Sequence, residues 1–459
     1  MNTDTIAAVS TPHGQGAIGI VRMSGPAAVS IAKKIFQRPS HKAAQDTTWE
    51  SHRAYYGAFT DPVSHEPLDY GLLLYMQNPR SFTGEDLVEF HCHGGHYLVE
   101  RILRICLEQG ARLATAGEFS QRAFMNGKLD LTQAEAIMDL IHSPSQQALQ
   151  MAAHQLEGHL SDPIRQVRQV MIGLLAEIEA NIDFPDEVDP PDTKQMLAGV
   201  KQALSQIEHM LSTSDAGKIW KQGVKLALVG EPNVGKSTLL NALLRYERAI
   251  VSNIAGTTRD TVEDDYNLRG IPVRIVDTAG LRETRDEIES IGIARSEQAL
   301  KQADLVLFMS DARQDLPPDV KQHMDTLPTQ KVVRVHNKAD LMPDAPAKSV
   351  RKEGEIEHVW ISALENTGIE ALEEMLYARL TTHQLAGEHT VSINDRHKVC
   401  LLRAHEALQR SKETLEAEMP FDFVAIDLKE AVVAFGEIIG ESISEEIIHE
   451  VFHRFCVGK

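Results

Sequence analysis

The hydrophobic and polar positions of this chain follow different patterns in successive segments. Up to about residue 126, apolar runs at 17–22 and 70–75 are typical of strands, and the periodic segments 29–36 and 97–107 are typical of helices. This mixture predicts a first domain of α+β type, and no nucleotide-binding motif lies within it.

Between residues 129 and 214 the pattern becomes helical. One apolar stripe has the spacing of a single helix face: Ile164, Val167, Met171, Leu174, Leu175 and Ile178. Asp162 and Pro163 precede the stripe, and we expect them to be the N-cap and the first residue of this helix. The helix is expected to end near Phe184, before the loop that Pro190 and Pro191 indicate.

From Val224 onward, short apolar runs alternate with helical segments. The predicted strands are 224–229, 273–276, 305–309, 332–335 and 359–361. Because such alternation is typical of βαβ units, it predicts a mostly parallel α/β sheet.

After Leu380 the chain becomes helical again. Two apolar stripes are expected there: Val424, Leu428, Val432, Phe435 and Ile439 in one, and Ile443, Ile447, Val451 and Phe455 in the other. Ser442 and Glu445 have the spacing of a capping box, which predicts the start of the last helix.

Two helical segments therefore flank the α/β segment, and each has an apolar face that needs a partner. We expect a single helical domain with the α/β domain inserted into its sequence. The expected division is 1–126 for the α+β domain, 127–215 and 381–459 for the two parts of the helical domain, and 216–380 for the α/β domain.

Composition and charge narrow the class of protein. The 459 residues are 42% hydrophobic and 24% charged, as in globular proteins, and no apolar run is long enough to cross a membrane. The 66 acidic and 46 basic residues give a net charge of −20, which argues against a protein that coats nucleic acid through its overall charge. The four cysteines form no CxxC pair, and no signal-like segment follows Met1, so we expect a protein of the reducing cytoplasm.

Residues 230–237, with the sequence Gly-Glu-Pro-Asn-Val-Gly-Lys-Ser, match the phosphate-loop pattern GxxxxGK[ST] between a predicted strand and a predicted helix. Such a loop turns its N–H groups toward phosphates at the positive end of the helix. Lys236 is expected to bind the β- and γ-phosphates, and the Ser237 hydroxyl is expected to bind Mg²⁺. The other expected nucleotide contacts in this loop are Asn233, Val234, Gly235 and Thr238.

A second motif, NKxD, indicates the base. Asn337, Lys338 and Asp340 follow a predicted strand, and the Asp340 carboxylate can accept from the N1–H and amino group of guanine, whereas adenine offers no matching donors. After a phosphate loop, this motif predicts GTP rather than ATP. Ser362, Ala363 and Leu364 follow the next strand and resemble the GTPase loop that supports the base.

Two further segments match the GTPase switches. Asp277, Thr278, Ala279 and Gly280 match DxxG, in which the aspartate holds Mg²⁺ through water and the glycine N–H senses the γ-phosphate. Thr258 is expected to supply the second Mg²⁺ hydroxyl from the other switch. The expected nucleotide contacts of that switch are Ser252, Asn253, Ile254, Ala255, Gly256, Thr257 and Thr258.

One position departs from the common GTPase scheme. Many small GTPases carry glutamine directly after DxxG to orient the attacking water, but here this position is Leu281. Either hydrolysis is slow or another residue orients the water. The acidic candidates just downstream are Glu283, Asp286, Glu287 and Glu289, although such a charge run is also typical of a solvated loop.

Several motifs outside the common GTPase core point to one family. They are Ser-Phe-Thr-Gly-Glu-Asp at 81–86, Gly-Glu-Phe-Ser at 117–120, Lys-Leu-Asp-Leu at 128–131 and the ending Cys-Val-Gly-Lys at 456–459. Together with Gly-Thr-Thr-Arg-Asp at 256–260 and Asp-Thr-Ala-Gly-Leu-Arg at 277–282, they make the chain resemble the MnmE (TrmE) family of tRNA-modification GTPases along its whole length.

This resemblance implies a potassium-activated GTPase. It assigns K⁺ to four residues around the phosphates: Asn233, Ser252, Ile254 and Thr257. A cation there would neutralise charge that develops in the transition state, as an arginine finger does. The resemblance also assigns the water-orienting role to Glu289, and it implies that paired G domains couple hydrolysis to a conformational change.

In the first domain, the resemblance implies a tetrahydrofolate site with 5-formyltetrahydrofolate as the type of ligand. It assigns binding to Arg22, Glu89, Lys128 and the terminal Lys459, which the residues alone would present as ordinary surface charges. It further implies a functional Cys456, which would otherwise be interpreted as a thiol packing the last turn.

The sequence His91-Cys92-His93-Gly94-Gly95-His96 raises the alternative of a metal site in the same domain. Because no second ligand pair at zinc spacing follows it, structural histidines in a turn are favoured over metal ligands.

The resemblance also implies partners: a homodimer that acts with the flavoprotein MnmG (GidA), in a heterotetramer or larger, with FAD on that partner only. The pair would add a carboxymethylaminomethyl or aminomethyl group to C5 of the wobble uridine of certain tRNAs. No membrane is expected among the partners. One alternative is a ribosome-assembly GTPase related to Era, but its C-terminal RNA module with a GxxG loop is absent here. A folate-dependent transferase with an idle GTPase domain is another, which the intact nucleotide motifs disfavour.

Overall fold

The computed structural model describes residues 4–12, 14–38, 49–246, 263–277, 300, 302–342, 349–381 and 392–459. Within these residues, no helix is both long and apolar enough to cross a membrane. The chain divides into two units. The first comprises Met1–Met138, Gln155–Lys201 and Leu402–Lys459, and the second comprises Asp139–His154 and Gln202–Leu401.

A seven-stranded sheet organises the N-terminal part of the first unit. Its strands are β1 (Ile6–Val9), β2 (Ile18–Ser24), β3 (Phe36–Gln37), β4 (Arg53–Thr60), β5 (Pro67–Met76), β6 (Leu87–His93) and β7 (Arg112–Leu113). They lie in the order β3-β4-β5-β6-β2-β1-β7, and only β1 and β7 pair in parallel. Two helices, α1 (Ala28–Ile35) and α2 (His96–Glu108), pack their apolar faces on this sheet. The predicted α+β domain is therefore confirmed.

Eleven further α-helices follow in the described residues. Those before and within the second unit are α3 (Glu118–Met125), α4 (Leu131–His142), α5 (Gln146–Leu156), α6 (Ser161–Asp183), α7 (Thr193–Gln222), α8 (Lys236–Tyr246), α9 (Pro318–Asp325) and α10 (Ile369–Thr381). The last three helices in the chain are α11 (Asp395–Glu416), α12 (Phe421–Ile439) and α13 (Glu445–His453).

Helices from both sides of the α/β segment pack together in the first unit. The predicted stripe of α6 is buried, with Ile164 and Ile178 fully inaccessible, and the stripe of α12 is buried at Val424 and Leu428. Arg168 Nε of α6 donates to the carbonyl oxygen of Val432 in α12 at 3.2 Å. The helical segments are thus neighbours although about a whole domain separates them in sequence; the predicted domain boundaries stay predictions.

Two predicted helix starts are wrong. Helix α6 begins at Ser161, before the predicted N-cap Asp162, because the N–H of Asp162 already donates to Gly158 O at 2.9 Å. Helix α13 begins at Glu445 with Ser444 as its N-cap. Ser442 does not cap α13, because its N–H donates to Gly436 O at 3.3 Å and so belongs to the end of α12.

The second apolar stripe predicted for the C-terminal region is confirmed except at one position. Phe455, Ile443 and Val451 pack in one cluster with Leu131 and Phe452. Ile447 is 36% exposed, and Ile448 packs against the cluster in its place. Ile448 and Phe452 are four residues apart, so both face the cluster from one side of α13.

A second seven-stranded sheet forms the core of the second unit. Its strands are β8 (Val224–Gly230), β9 (Glu263–Leu268), β10 (Ile271–Asp277), β11 (Leu305–Asp311), β12 (Val332–Asn337), β13 (Val350–Glu353) and β14 (Ile356–Trp360). They lie in the order β13-β14-β12-β11-β8-β10-β9, with the five inner strands parallel and the edge strands β9 and β13 antiparallel. Every residue of β11 is buried, as expected for the centre of a sheet covered on both faces. The mostly parallel α/β sheet is confirmed.

Candidate functional site

The phosphate loop connects β8, which ends at Gly230, to α8, which begins at Lys236. Asn233 and Gly235 have positive φ angles of 65° and 97°, so both adopt left-handed backbone within the turn. The turn directs the first N–H groups of α8 out of the helix end, where the helix dipole favours a phosphate. The strand, loop and helix predicted from the sequence are therefore in the arrangement that a phosphate loop requires.

Lys236 lies in the curve of this loop. The residue is 6% exposed, and its Nζ donates to Gly230 O at 2.8 Å and to Glu231 O at 2.7 Å. The next two side chains, Ser237 and Thr238, are exposed at the start of α8. A positive charge and a hydroxyl thus stand at one end of the same helix, as phosphate and Mg²⁺ binding would require.

Asn337 joins the phosphate loop to the loops that would hold the base. Its Nδ2 donates to Val234 O at 2.7 Å, and its Oδ1 accepts from the N–H of Ala363 at 3.0 Å. The residue is 3% exposed, so both bonds form away from water. One buried amide therefore fixes three segments of the site relative to one another.

The loops after β12 and β14, which would bind the base, are hydrogen-bonded where they leave the strands and exposed farther along. Ser362 and Thr367 exchange two backbone hydrogen bonds, with N···O distances of 2.9 and 3.1 Å, which closes the loop after β14. Asp340 is exposed in the loop after β12, and Leu364 is 75% exposed. The carboxylate that is expected to recognise guanine is therefore accessible to a ligand, while Ser362 is fully buried.

Most of the predicted switch residues lie outside the described residues. Asp277 ends β10 beside Leu228 of β8, but only its backbone position is described. The predicted site residues outside the described part of the chain are Ser252, Asn253, Ile254, Ala255, Gly256, Thr257, Thr258, Thr278, Ala279, Gly280 and Glu289. Their roles stay predictions.

The donors that are described fit the expected ions only in part. The exposed Ser237 hydroxyl is an oxygen ligand of the kind that Mg²⁺ prefers, and the exposed Asn233 is an amide with a carbonyl oxygen suited to K⁺. Among the described residues, no group of three His, Cys, Asp or Glu side chains is arranged to hold a metal ion.

In the first unit, Glu89 of β6 binds two neighbours. Its Oε1 accepts from Arg22 Nε at 2.9 Å and lies 2.8 Å from Arg22 NH2, while its Oε2 lies 3.1 Å from His91 Nε2. Burial acts to raise the pKa of Glu89, but the hydrogen bond from His91 and the charge of Arg22 outweigh it and lower the pKa below its usual value. The carboxylate is therefore held ionised, although the residue is 8% exposed.

The C-terminal tail lies against the same arginine. Val457 pairs with Ala116 in a short β-bridge, and Gly458 O accepts from Ser10 Oγ at 3.1 Å and from Arg22 NH1 at 3.4 Å. Burial lowers the pKa of Lys459, and the positive charge of Arg22 lowers it further. Glu89 and the tail that carries Lys459 thus both contact Arg22, although the three segments are distant in sequence.

The remaining predicted residues of the first unit are Lys128 and Cys456. Lys128 Nζ donates to Pro79 O at 3.0 Å, in the loop that carries Phe82, and the Phe82 ring lies 5.8 Å from the Arg22 guanidinium carbon. Cys456 is exposed, with its carbonyl accepting from the N–H of Gly117 at 3.3 Å. The predicted interpretation of Cys456 as a half-buried thiol is wrong.

The other histidines near β6 have carboxylate partners. His93 Nδ1 lies 2.7 Å from Asp69 Oδ1, and His96 Nε2 lies 3.4 Å from Glu100 Oε1. Cys92 points to the opposite face of the strand, where burial raises its pKa to about 11. The thiol therefore does not share a face of β6 with His91 and His93.

Several residues that contact the predicted ones carry no motif in the sequence. His91 binds Glu89, Ser10 binds the tail, and Asp311 and Arg313 lie beside Lys338 of the NKxD motif. The only sequence signal for Asp311 is its place at the carboxyl end of a central parallel strand, where ligand sites of α/β folds lie.

Comparison with known proteins covers nearly the whole chain. The family model for the TrmE N-terminus of GTP-binding proteins matches residues 5–128, and the model for the MnmE helical domain matches residues 131–456. The protein named tRNA modification GTPase MnmE in Synechococcus elongatus is 45% identical, with 99% of each chain covered. The protein of that name in Acaryochloris marina is 44% identical, with 100% of each chain covered. Among solved structures, Aquifex aeolicus Era bound to GDP and AlF4⁻ is 30% identical over 40% of this chain and 66% of its own, with a TM-score of 0.27.

The parallel sheet, the phosphate loop and the NKxD segment fixed to it define a P-loop protein of the GTPase class. Both family models and the full-length relatives agree on the rest of the chain. The chain belongs to the MnmE/TrmE family.

Proposed function

We propose that this protein hydrolyses GTP as part of a tRNA modification, as the name of its relatives states for them. The observation that carries the proposal is the Asn337 amide, which fixes the phosphate loop and both base-binding segments in one site. The proposed domain boundaries are those expected from the sequence: 1–126, 127–215, 216–380 and 381–459. The proposed location of the protein is the cytoplasm.

The chain's own residues supply nucleotide binding. The N–H groups at the start of α8 and the ammonium of Lys236 bind the phosphates, and the Asp340 carboxylate accepts hydrogen bonds from guanine. Mg²⁺ held by Ser237 and Thr258 would supply charge neutralisation at the phosphate oxygens. Replacing Asp340 with asparagine is expected to shift the preference from guanine to xanthine nucleotides, and unchanged GTP affinity in the variant would contradict this assignment.

Hydrolysis in this proposal uses K⁺ held by Asn233, Ser252, Ile254 and Thr257, and water oriented by Glu289. The left-handed conformation of Asn233, which turns this residue out of the loop to an exposed position, supports its part in the set. GTP hydrolysis is expected to be much faster in KCl than in NaCl, and equal rates would contradict the role of the ion. Glu289→Ala should bind GTP normally but hydrolyse it slowly.

The first unit binds a tetrahydrofolate such as 5-formyltetrahydrofolate in this proposal. The contacts of Arg22 with Glu89 and with the C-terminal tail that carries Lys459 support it, because a carboxylate can accept from a pterin ring and cations can bind the glutamate tail. The contact of Lys128 with Pro79 O and the exposure of the Cys456 thiol on the tail support their parts in the proposal. Calorimetry with 5-formyltetrahydrofolate should detect binding that Glu89→Gln abolishes.

The protein acts as a homodimer in this proposal. Tyr56, Tyr70 and Leu72 are 60%, 55% and 42% exposed, and they lie on one face of the neighbouring strands β4 and β5, where Tyr56 pairs with Leu72. An exposed apolar patch on a sheet face is typical of an association surface. Light scattering should give the mass of a dimer for the wild type and of a monomer for Leu72→Glu.

The modification itself needs the flavoprotein MnmG (GidA), with FAD on that partner, in a heterotetramer or larger complex. The product is the carboxymethylaminomethyl or aminomethyl group at C5 of the wobble uridine. The experiment that tests this is nucleoside analysis of tRNA from cells that lack the protein. Loss of the modified uridine supports the proposal, whereas normal tRNA with defective ribosome assembly would favour an Era-like role.

A further inference from the structure

A charged cluster lies at the end of β11, beside the NKxD segment. Asp311 Oδ1 accepts from Arg313 Nε at 2.9 Å, and Asp311 Oδ2 accepts from Arg313 NH2 at 2.7 Å. The Nζ of Lys338 lies 3.2 Å from the same Oδ2. One carboxylate thus binds an arginine in a two-pronged pair and also the lysine of the base-recognition motif.

The position of Asp311 is fixed by the centre of the sheet. Its backbone is in register with Asn337 of β12, and the N–H of Ala312 donates to Asn337 O at 2.7 Å. The Asp311 side chain is 7% exposed, so leaving this carboxylate without partners would be costly. Hydrogen bonds from Arg313 hold the pKa of Asp311 well below its usual value, so the carboxylate is charged near neutral pH.

Lys338 has an unusual backbone conformation. Its φ and ψ are 64° and 38°, in the left-handed region that a non-glycine residue seldom adopts. The bond to Asp311 holds the ammonium of Lys338 in place and so favours this conformation over alternatives. Asp340 follows two residues later, so the same conformation sets the direction of the chain toward the guanine-recognising carboxylate.

Arg313 is the third member of the cluster. The hydrogen bonds to Asp311 raise the pKa of Arg313, and the charge of Asp340 adds to this effect. The Arg313 side chain is 49% exposed, so it reaches this position along the surface of the loop. The cluster therefore connects a fixed strand end with Lys338, two residues before Asp340 in the NKxD motif.

We propose that Asp311 and Arg313 are positioning residues for guanine recognition, which hold Lys338 and Asp340 in the geometry that selects the 2-amino group of the base. This inference rests on the proposed GTP-binding function and adds the residues that set its selectivity. Their effect is on base discrimination, because neither residue is expected to contact the phosphates.

The test compares two nucleotides that differ in one group. Inosine diphosphate (IDP) lacks the 2-amino group of guanosine diphosphate (GDP). The ratio of their dissociation constants therefore measures the hydrogen bond from this group to the Asp340 carboxylate. In calorimetric titrations of the full-length protein, Asp311→Asn is expected to weaken GDP about tenfold but IDP only about threefold. Arg313→Gln should act in the same direction, and it provides a second variant at an exposed position if Asp311→Asn folds poorly.

Glu374→Gln is the matched control, because Glu374 forms an exposed pair with Arg269 in the same unit, at 3.4 Å. It should leave both dissociation constants unchanged. Equal weakening of GDP and IDP by the Asp311 and Arg313 variants would indicate general damage to the site and overturn the inference. Unchanged GDP binding in both variants would also overturn it while leaving GTP binding intact, whereas a wild type that binds no guanine nucleotide would overturn the proposed function as well.

Discussion

A Cβ atom on Gly235 would lie 2.3 Å from Nδ2 of Asn337. This distance is shorter than any tolerable contact, and the amide cannot withdraw without losing its bond to Val234 O. Glycine is needed at this position for a second reason, because its φ is 97°. The phosphate loop and the base-recognition segment are therefore packed with no room for a side chain between them.

We expect Gly235→Ala to weaken nucleotide binding strongly while the fold remains. The clash should displace the Asn337 amide. The loop at Ala363, which is bonded to this amide and is expected to support the base, should move with it. Titration with a fluorescent GDP analogue should show an affinity at least about a hundredfold lower than that of the wild type. The loss combines backbone strain at position 235 with the lost hydrogen bonds of the Asn337 amide.

Gly354→Ala is the control for backbone strain alone in the same unit. Gly354 also has a positive φ, 63°, but no atom lies within 4 Å of a Cβ built there. This variant should bind the GDP analogue like the wild type. If Gly235→Ala and Gly354→Ala bound the GDP analogue equally well, the close packing of Gly235 on Asn337 would not be needed for nucleotide binding.

The Asn337 amide can be tested by a change of nearly the same shape. Asn337→Asp replaces the Nδ2 donor with an oxygen, which would lie 2.7 Å from Val234 O, and two oxygens without a proton between them repel each other. The new carboxyl group can avoid this only by taking up a proton, which costs free energy. The position is 3% exposed, so water cannot relieve either situation. We expect a loss of about 2–4 kcal/mol, divided between thermal stability and nucleotide affinity. Thermal unfolding with and without GDP measures the two parts, and a variant whose melting temperature rises with GDP as in the wild type would contradict the role of the amide.

The C-terminal tail offers a matched pair of glycine variants in the first unit. A Cβ on Gly458, at φ 96°, would lie 2.2 Å from Val9 O, whereas a Cβ on Gly110, at φ 106°, would meet nothing within 4 Å. Gly458→Ala is therefore expected to displace the tail and release Arg22 from its bond to Gly458 O. Binding of 5-formyltetrahydrofolate should weaken about tenfold, as for the loss of one charge-assisted contact.

Gly110→Ala should leave folate binding as in the wild type, since it adds strain without a clash. The accessibility of Cys456 to a thiol reagent gives a second measurement, because a displaced tail exposes it further. Equal folate affinity of the two variants would mean that the tail plays no part in the site.

The motifs that sequence analysis located correctly are contiguous. The phosphate loop needs only residues 230–237, and the buried stripe of α6 follows from its own spacing, so neither depends on distant contacts. The start of α13 was misplaced because two serines, Ser442 and Ser444, offer similar capping chemistry. Only the turn at the end of α12, which occupies Ser442 through Gly436, decides between them.

The unpredicted parts of the sites join distant segments. The edge strands β9 and β13 were missed because their polar sequences, Glu-Asp-Asp-Tyr-Asn-Leu and Val-Arg-Lys-Glu, lack the apolar run of an inner strand. The bond between Asp311 and Lys338 depends on the pairing of β11 with β12, and that between Arg22 and Gly458 depends on where the tail lies. No local pattern contains this information.

A stack of aromatic rings in the second unit gives a pH prediction. The ring of His336 lies 4.6 Å from that of Trp360, and His336 Nε2 lies 3.0 Å from His358 Nδ1. Burial lowers the pKa of His336 to about 4, and the charge of Arg334 adds to this, whereas Asp315 acts weakly in the opposite direction. The ring is therefore neutral in the folded protein under ordinary conditions.

The sign of the effect follows from the proton balance. In the unfolded chain His336 has its ordinary pKa of 6.5, so between pH 6.5 and about 4 the unfolded state binds more protons than the folded state. Stability is thus expected to fall as the pH decreases through this window, by on the order of 2 kcal/mol. Urea unfolding at several pH values, followed by tryptophan fluorescence, measures this slope.

His336→Phe keeps an aromatic ring against Trp360 but cannot be protonated, so the variant should lose less stability between pH 6.5 and 4 than the wild type. The exposed His323 provides the control, and His323→Asn should keep the slope of the wild type. His358, whose pKa burial also lowers, is expected to account for the slope that remains in His336→Phe. A variant slope as steep as that of the wild type would mean that His336 is not the buried group that takes up the proton on unfolding.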